Sequence, residues 1–520
     1  MKLLIVFSLI PLFNLLTPGL PVTHDGQDHV ARIANFYLSL SEGNMIPRWA
    51  GNLNWGYGHP ILMFLYPLPS YVASLFHALG LSFVDSTKLV FALFYVASVL
   101  AMYVWLRNHW GKIPGYVGAI LYGFAPYRFV DLYVRGAIGE HVAFVFLPLV
   151  LLGLYKKSPM LTTFSMAGLI LSHNAISLMF LPIIALYILF LKRDTRFLFF
   201  ACYSLFLGFL VSAFFWIPAF FEGKYTLRDI VTKGEFGDRF VPWSWFFSSP
   251  WNYGGGNQLT KELGITQWLS VVISLFYLRK KQNRVVILTL LLILFIVLFL
   301  MTQGSAFIWN TISLLQKFQF PWRLLSVAVF ITSVLGAFAV AHLPKKTMVA
   351  VILVGLSLMT TSHMWKAKEY TVRHESFYAG IYESTTDTGE SSPIWSVRFM
   401  EKRAAAAIEV IEGNADVELG RRTTTSREYK VKTQTPTRLA ENTLYFPGWR
   451  ISVDGQPAGI EFQDPNYRGL MTFQLEKGDH QVIIDFVETK LRMAANLISV
   501  AGLVLLLFWY AKIRSHTASV

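Results

Sequence analysis

Apolar runs long enough to enter a bilayer return from one end of the chain to the other, and this recurrence restricts the fold more than any other feature. They fall at Met1 to Leu20 and near 88–106, 113–126, 141–155, 160–172, 175–191, 197–218, 264–278, 285–302, 323–343, 347–362 and 494–511. In lipid each backbone polar group must be satisfied within its own segment, so such runs form helices. Composition agrees: 54% of the 520 residues are hydrophobic and 15% charged, whereas a soluble chain needs about a quarter charged residues to cover its surface. The expected fold is an α-helical polytopic membrane protein with about twelve transmembrane helices.

Charge clusters set the expected orientation. The stretch Pro60 to Gly80 is apolar but broken by Pro60, Pro67 and Pro69, which suits a juxtamembrane or re-entrant segment better than a span. If it does not cross, Arg107, Lys112, Lys156, Lys157, Lys192, Arg193, Arg196, Arg279, Lys280, Lys281, Arg284, Lys345, Lys346, Lys512 and Arg514 share one side, opposed only by Asp194. The positive-inside rule makes that side cytoplasmic and places both termini there, in the plasma (inner) membrane. Met1 to Leu20 has no small-residue cleavage pattern behind it and reads as the first span. The net charge of +14, from 45 basic and 31 acidic residues, is accounted for by these clusters, so no nucleic-acid partner is expected. A single cysteine, Cys202, excludes an intramolecular disulfide, a cysteine metal cage and paired-thiol redox chemistry.

The domains expected are a multi-span membrane domain over 1–362 with a large first external loop at 21–86, an external β-domain over 363–492, and a final transmembrane helix with a cytoplasmic tail over 493–520. Alternation at Val482, Ile484 and Phe486 and a hairpin signal at Asp454-Gly455 give the β-domain a sandwich or jelly-roll-like character. Function is sought on the external face, which collects the irregular segments. No repeat of fixed period is present, which weighs against transporters built from duplicated halves.

Three external clusters carry chemistry. In His24-Asp25-Gly26-Gln27-Asp28-His29-Val30-Ala31-Arg32, helical spacing puts Asp25, Asp28, His29 and Arg32 on one face, an acid/base and anion-binding surface; an Asp N-cap with a solvated first turn is the plain alternative. The stretch Arg48-Trp49 to Trp55-Gly56-Tyr57-Gly58-His59-Pro60 follows, with aromatic faces suited to sugar rings or lipid, or to interfacial anchoring. Arg128, Asp131 and Arg135, followed by Glu140 and His141, offer a phosphate clamp or an internal salt bridge. Arg323, in Phe318-Gln319-Phe320-Pro321-Trp322-Arg323, stands at the outer mouth of a span, where positive-inside anchoring does not call for it. His173-Asn174 reads as a satisfied polar turn, and Trp243, Trp245, Trp251, Tyr253 and Gly254 to Gly256 as an interfacial or gating loop.

Asp25 to Arg32, Trp55 to Pro60, Tyr127-Arg128 to Gly136, Ser249-Pro250-Trp251, Phe320-Pro321-Trp322-Arg323, Gly389-Glu390 to Pro393-Ile394-Trp395 and Tyr445-Phe446-Pro447-Gly448-Trp449 occur in an order that resembles the C-type (GT-C) membrane glycosyltransferases. More closely, the chain is similar to the bacterial membrane family named 6-pyruvoyl-tetrahydropterin synthase-related. That name is not chemistry here: such synthases use a three-histidine zinc site and a cysteine, an arrangement this chain does not show. The resemblance implies sugar transfer from a polyprenyl-phosphate-linked donor to a glycan, lipid or protein acceptor of the cell envelope, with a first-loop carboxylate, Asp25, as catalytic base. Asp28 and His29 become orienting or metal-contacting groups, and Arg32, Arg128, Arg135 and Arg323 phosphate contacts, with Asp131 and Glu140 among the substrate-binding candidates. A divalent cation, Mg²⁺ or Mn²⁺, is the one cofactor considered, with Asp25, Asp28 and His29 to hold it. The competing classes are a transporter or flippase of a lipid-linked or anionic envelope precursor and a non-catalytic envelope assembly protein.

Overall fold

A computed structural model of the chain describes residues 1–191, 194–255 and 258–518. Lys192, Arg193 and Gly256 lie outside the described residues, as do the side chains of Gln282 and Arg514.

Every apolar run named above is helical. The first forms Lys2–Leu9 and continues as a tighter 3₁₀ turn, Ile10–Leu16, where Pro11 ends the regular ladder. The others include Phe83–Trp110, Lys112–Gly123, Ile138–Lys156, Pro159–Ser172, Asn174–Phe190, Ile265–Leu275, Lys281–Leu300, Leu325–His342, Lys346–Thr361 and Lys490–Ala518. The expected count of twelve spans is not reached on length and apolarity: among the described residues six helices are long and apolar enough to cross by themselves, or up to seven if the bent pair Thr195–Val211 and Ala213–Phe221 is one span. That pair turns through 70°, and the backbone N–H of Phe214 at the bend donates to Ser499 Oγ of the last helix. The remaining apolar helices are shorter, as Lys2–Leu16 and Pro159–Ser172 are.

Burial separates the helices by role. In the segment Pro321–His342 the apolar window is 94% buried in protein, against 22% for Lys490–Lys512. A helix apolar on all sides and enclosed by others is a core helix, so Arg323 sits at the mouth of the central element. Small residues bring this helix close to its neighbours: a Cβ on Gly336 would lie 2.3 Å from Leu121, and one on Gly118 2.9 Å from Ala337.

The two ends of the bundle differ. At one end the basic connections meet an aromatic cluster, where Tyr155 donates to the Asn108 carbonyl and Tyr277 packs on His342. The other end gathers the segments assigned to the external face. Leu20–Pro21 pairs antiparallel with Tyr370–Thr371, His24 shares a hydrogen bond with the Tyr253 carbonyl, and Thr226 bridges Pro393. Pro60 to Gly80 forms the helices Ile61–Phe64 and Leu68–Ala78 with a break between them.

The expected β-domain over 363–492 narrows to strands between Ile408 and Phe486. Residues 372–407 are mostly irregular and pack on the first loop instead, because their polar groups bond there and not in a ladder: Asn54 and Trp55 N–H donate to the Ser384 and Tyr382 carbonyls. The strands form a five-stranded sheet, ordered Ala415–Arg422, Ser426–Thr433, Gly478–Phe486, Trp449–Val453, Gln456–Ala458, and a three-stranded sheet, Ile408–Glu412, Thr437–Leu444, Leu470–Leu475. Val482 and Ile484 are buried as their alternation requires. Asp454 and Gly455 both take positive φ, 50° and 77°, which a two-residue hairpin turn demands. Buried Glu441 of the smaller sheet binds Arg427 and Tyr429 of the larger. Arg492, at the start of the last helix, bonds both Glu222 at 2.8 Å and the Pro447 carbonyl of the β-region at 2.5 Å, and Arg48 of the first loop bonds Glu488, just after the last strand, at 2.6 Å and Asn496 of the last helix at 3.0 Å.

The aromatic stretch after Arg48 is not an open platform. Trp49, Tyr57 and His59 are buried, and Asn54 and Trp55 take left-handed φ of 54° and 60°. This knots the loop against residues 382–400, with Met400 N–H donating to Asn54 Oδ1 at 3.0 Å. A Cβ on Gly58 would strike the Trp49 indole at 2.4 Å, so the aromatic mass is spent on packing.

Candidate functional site

Asp25 stands at the N-terminus of the helix Gly26–Ser41, but its side chain makes no capping bond. The residue is exposed, and among the described residues its carboxylate accepts no hydrogen bond. Its backbone N–H donates to the Arg135 carbonyl at 2.9 Å. This close approach depends on Gly136, whose φ of +68° turns the chain and whose missing Cβ leaves room for the Thr23 hydroxyl, 2.3 Å from where that atom would be. The first loop and the 126–140 segment are thereby joined.

Along the same helix, Asp28 accepts from the Tyr382 hydroxyl at 3.2 Å, and burial raises its carboxyl above the usual range. His29 Nδ1 lies 3.0 Å from Arg32 Nη1. A guanidinium only donates, so Nδ1 is the acceptor and the ring carries its proton on Nε2. Burial, and then the Arg32 charge, hold the pKa of His29 well below its ordinary value, so the imidazole is neutral at physiological pH. Arg32 also grips Thr386 twice, through Oγ1 at 3.1 Å and through the carbonyl. Thr386 has φ 65°, a backbone state costing a β-branched residue on the order of 1–3 kcal/mol and met chiefly at functional sites.

The second group is built around Glu140, fully buried at the start of its helix. Its Oε1 accepts from Arg135 Nη2 and Arg323 Nε, both at 2.9 Å, and its Oε2 from the Tyr127 hydroxyl at 2.7 Å. Asp131 Oδ1 takes a further bond from Arg135 at 2.7 Å, while Arg135 lies over the Trp322 ring. Arg323 is completed by the Phe318 carbonyl at 3.0 Å and Gln319 at 3.2 Å, and its Nη2 makes no hydrogen bond among the described residues. Gln319 in turn donates to Glu390 at 2.6 Å.

Arg128 is the correction within this group. The sequence spacing placed it on one helical face with Asp131 and Arg135, but the helix Pro126–Phe129 passes into a π-turn, Val130–Arg135. The wider turn breaks the common face. Arg128 points into the protein, fully buried, donating to Ser98 at 2.9 Å and packed on Phe144, Tyr95 and Tyr122. Among the described residues it makes no hydrogen bond to the cluster that Arg135 and Arg323 share, although its charge acts on Asp131.

Beside the first group lies a small cavity lined by His29, Arg32, Tyr66, Pro69, Ser70 and Ile138, with Ile33, Phe36, Leu62, Leu65 and Pro67 completing an apolar flank. Tyr66 was missed because Pro60 to Gly80 carries no charge. The available signal was the run of prolines itself, since irregular backbone at membrane depth is tolerated only where protein buries it or a cavity adjoins it. His173 caps its helix as a polar turn should, its ring accepting from Ile176 N–H, yet Nε2 also comes within 3.9 Å of Glu140. Tyr382 and Thr386, in the segment assigned to the β-domain, were missed as well.

No three His, Cys, Asp or Glu side chains converge to hold a metal ion among the described residues. Asp28 and His29 are bonded to Tyr382 and Arg32.

An uncharacterised protein of Lactococcus lactis subsp. cremoris (strain MG1363) is 28% identical over 187 residues, which cover 32% of this chain and 30% of that protein; the match spans less than a third of the relative's length. Among solved structures, the arabinofuranosyltransferase AftD from Mycobacteria is similar with a TM-score of 0.46 and 14% identity, over 70% of this chain and 27% of that one. ArnT from Cupriavidus metallidurans bound to undecaprenyl phosphate is similar with a TM-score of 0.41 and 14% identity, over 72% and 67%. A family profile matches residues 62–368, which takes in Tyr66, Glu140 and Arg323 and begins after Asp25. Matched over more than half its length, the chain belongs to the membrane-protein family described as 6-pyruvoyl-tetrahydropterin synthase related.

Proposed function

We propose that the chain is a membrane glycosyltransferase that moves a sugar from a polyprenyl-phosphate-linked donor to an extracytoplasmic acceptor of the cell envelope. The observation that carries this reading is the cavity lined by Arg32, His29 and a set of apolar side chains, with the Asp25 carboxylate, which accepts no hydrogen bond among the described residues, one helical turn from His29. A lipid phosphate has that same division between an anionic head and a hydrocarbon tail. Nucleotide sugars are not available outside the cell, so an activated sugar used there arrives on a lipid.

In the step proposed, Asp25 takes the proton of an acceptor hydroxyl as its oxygen bonds to the anomeric carbon. The bond from that carbon to the phosphate oxygen breaks, and its electron pair leaves with the polyprenyl phosphate. The donor phosphodiester carries one negative charge and the departing phosphate two, so cations at the head bind the transition state more strongly than the ground state. Arg32, which bonds neutral partners only, and Nη2 of Arg323, without a hydrogen bond among the described residues, are suited to this, while the charge of Arg135 is held by Asp131 and Glu140.

Membranes containing the chain, incubated with a panel of radiolabelled polyprenyl-phosphate sugars, are expected to transfer label from one of them to an envelope acceptor. Absence of transfer from every sugar of the panel counts against the reading.

The proposal also places the site outside the plasma (inner) membrane with both termini cytoplasmic. In a Cys202→Ala background, cysteines replacing the exposed Met45 and Gly455 are expected to react with an impermeant maleimide from outside. One replacing the exposed Lys345 is expected not to react until the membrane is opened. Labelling of position 345 alone in intact cells inverts the orientation and removes the argument for a lipid-borne donor.

A further inference from the structure

Tyr66 occupies the break between the helices Ile61–Phe64 and Leu68–Ala78, directly before Pro67, a position the proline ring holds in extended backbone. Two neighbours hold its ring. It stacks on His173, with centroids 5.0 Å apart and planes 24° from parallel. It also packs on Gly139, where a Cβ would lie 2.2 Å from Cζ, the carbon that bears the hydroxyl. The glycine preceding Glu140 therefore makes the slot into which the phenol fits.

With the ring held so closely, the hydroxyl is left without a hydrogen bond among the described residues. The nearby phenols are engaged, Tyr127 with Glu140 and Tyr382 with Asp28. Tyr66 is half-buried and lines the cavity instead. Burial pushes its pKa up to about 12, and the charges of Arg32, Asp25, Arg323 and Glu140 all act on it. It stays a neutral donor at physiological pH, placed among the residues of both groups.

We propose that the Tyr66 hydroxyl is a direct contact to a phosphate oxygen of the lipid-linked substrate, a third donor beside Arg32 and Arg323. This rests on the lipid-phosphate reading above and adds a residue to it. The phenol O–H donates to a non-bridging oxygen, and no bond is made or broken by Tyr66 itself.

The test compares the purified full chain with its Tyr66→Phe and Gly139→Ala variants in nonionic detergent, measuring binding of undecaprenyl phosphate, with undecaprenol as the uncharged control. The wild type is expected to bind the phosphate and not the alcohol. Tyr66→Phe keeps the ring in its slot, so its unliganded melting temperature should be unchanged while affinity for the phosphate falls roughly ten- to a hundredfold, the range for a hydrogen bond to a charged group. Gly139→Ala, which displaces the ring, should weaken phosphate binding in the same direction. Wild-type affinity in Tyr66→Phe overturns the assignment of Tyr66 and leaves the lipid-phosphate reading standing. A wild type that binds phosphate and alcohol alike, or neither, overturns that reading and the Tyr66 contact with it.

Discussion

Asp25→Asn is expected to lower turnover by about 10²- to 10⁴-fold, the usual contribution of a positioned general base, while donor affinity and melting temperature stay near the wild-type values. The separation of effects follows from geometry. At the helix terminus asparagine and aspartate serve about equally well as caps, and the Asp25 side chain makes no capping bond to lose. Its backbone N–H, which joins the first loop to Arg135, is untouched by the change. What asparagine lacks is the capacity to accept a proton. Single-turnover transfer from a bound polyprenyl-phosphate sugar would show this directly. A near-wild-type rate would mean that Asp25 only begins a helix, and the search for the base would move to Asp28, one turn along and held by Tyr382.

The parts of this molecule governed by local rules were legible in the chain, and those governed by long-range approach were not. Apolar length alone marks where helices form, and each expected run is helical. Length does not say how far a helix is enclosed, so the central position of Leu325–His342 could not be read from a sequence that looks like that of its lipid-facing neighbours. In the β-region, Asp454-Gly455 specifies its own turn and Val482 and Ile484 their own face. The irregular stretch after residue 371 carried no comparable signal, because its conformation is set by partners hundreds of residues away, as with Arg32 and Thr386. Asp28, His29 and Arg32 lie on one helix, with Asp25 directly before it, so their nearness along the chain was legible from spacing. Arg128 was misplaced by a single π-turn, and Tyr66 was passed over because an uncharged residue among prolines shows nothing of the slot that Gly139 makes for it.

Glu140→Gln should be among the most destabilising single changes in the membrane domain, on the order of 3–5 kcal/mol, the cost of removing one member of a buried ion cluster. The charges explain why. Arg135 and Arg323 both bond Glu140, Arg135 also bonds Asp131, and both acids are fully buried. Neutralising Glu140 leaves an uncompensated guanidinium, and the amide that replaces one carboxylate oxygen presents N–H groups to donors. Unfolding of the purified protein in detergent should occur at a markedly lower midpoint. A second change sharpens the interpretation: Arg323→Gln added to Glu140→Gln restores charge balance, so the pair should be less destabilised than the sum of the two single variants, as coupled neighbours are. Strict additivity, or a wild-type midpoint for Glu140→Gln alone, would mean that water or lipid already compensates these charges. If the coupling is found, the double variant separates two duties of Arg323. It should recover much of the stability while binding a lipid phosphate poorly, since Nη2, the prong of Arg323 that Glu140 and Gln319 leave unengaged, goes with the guanidinium.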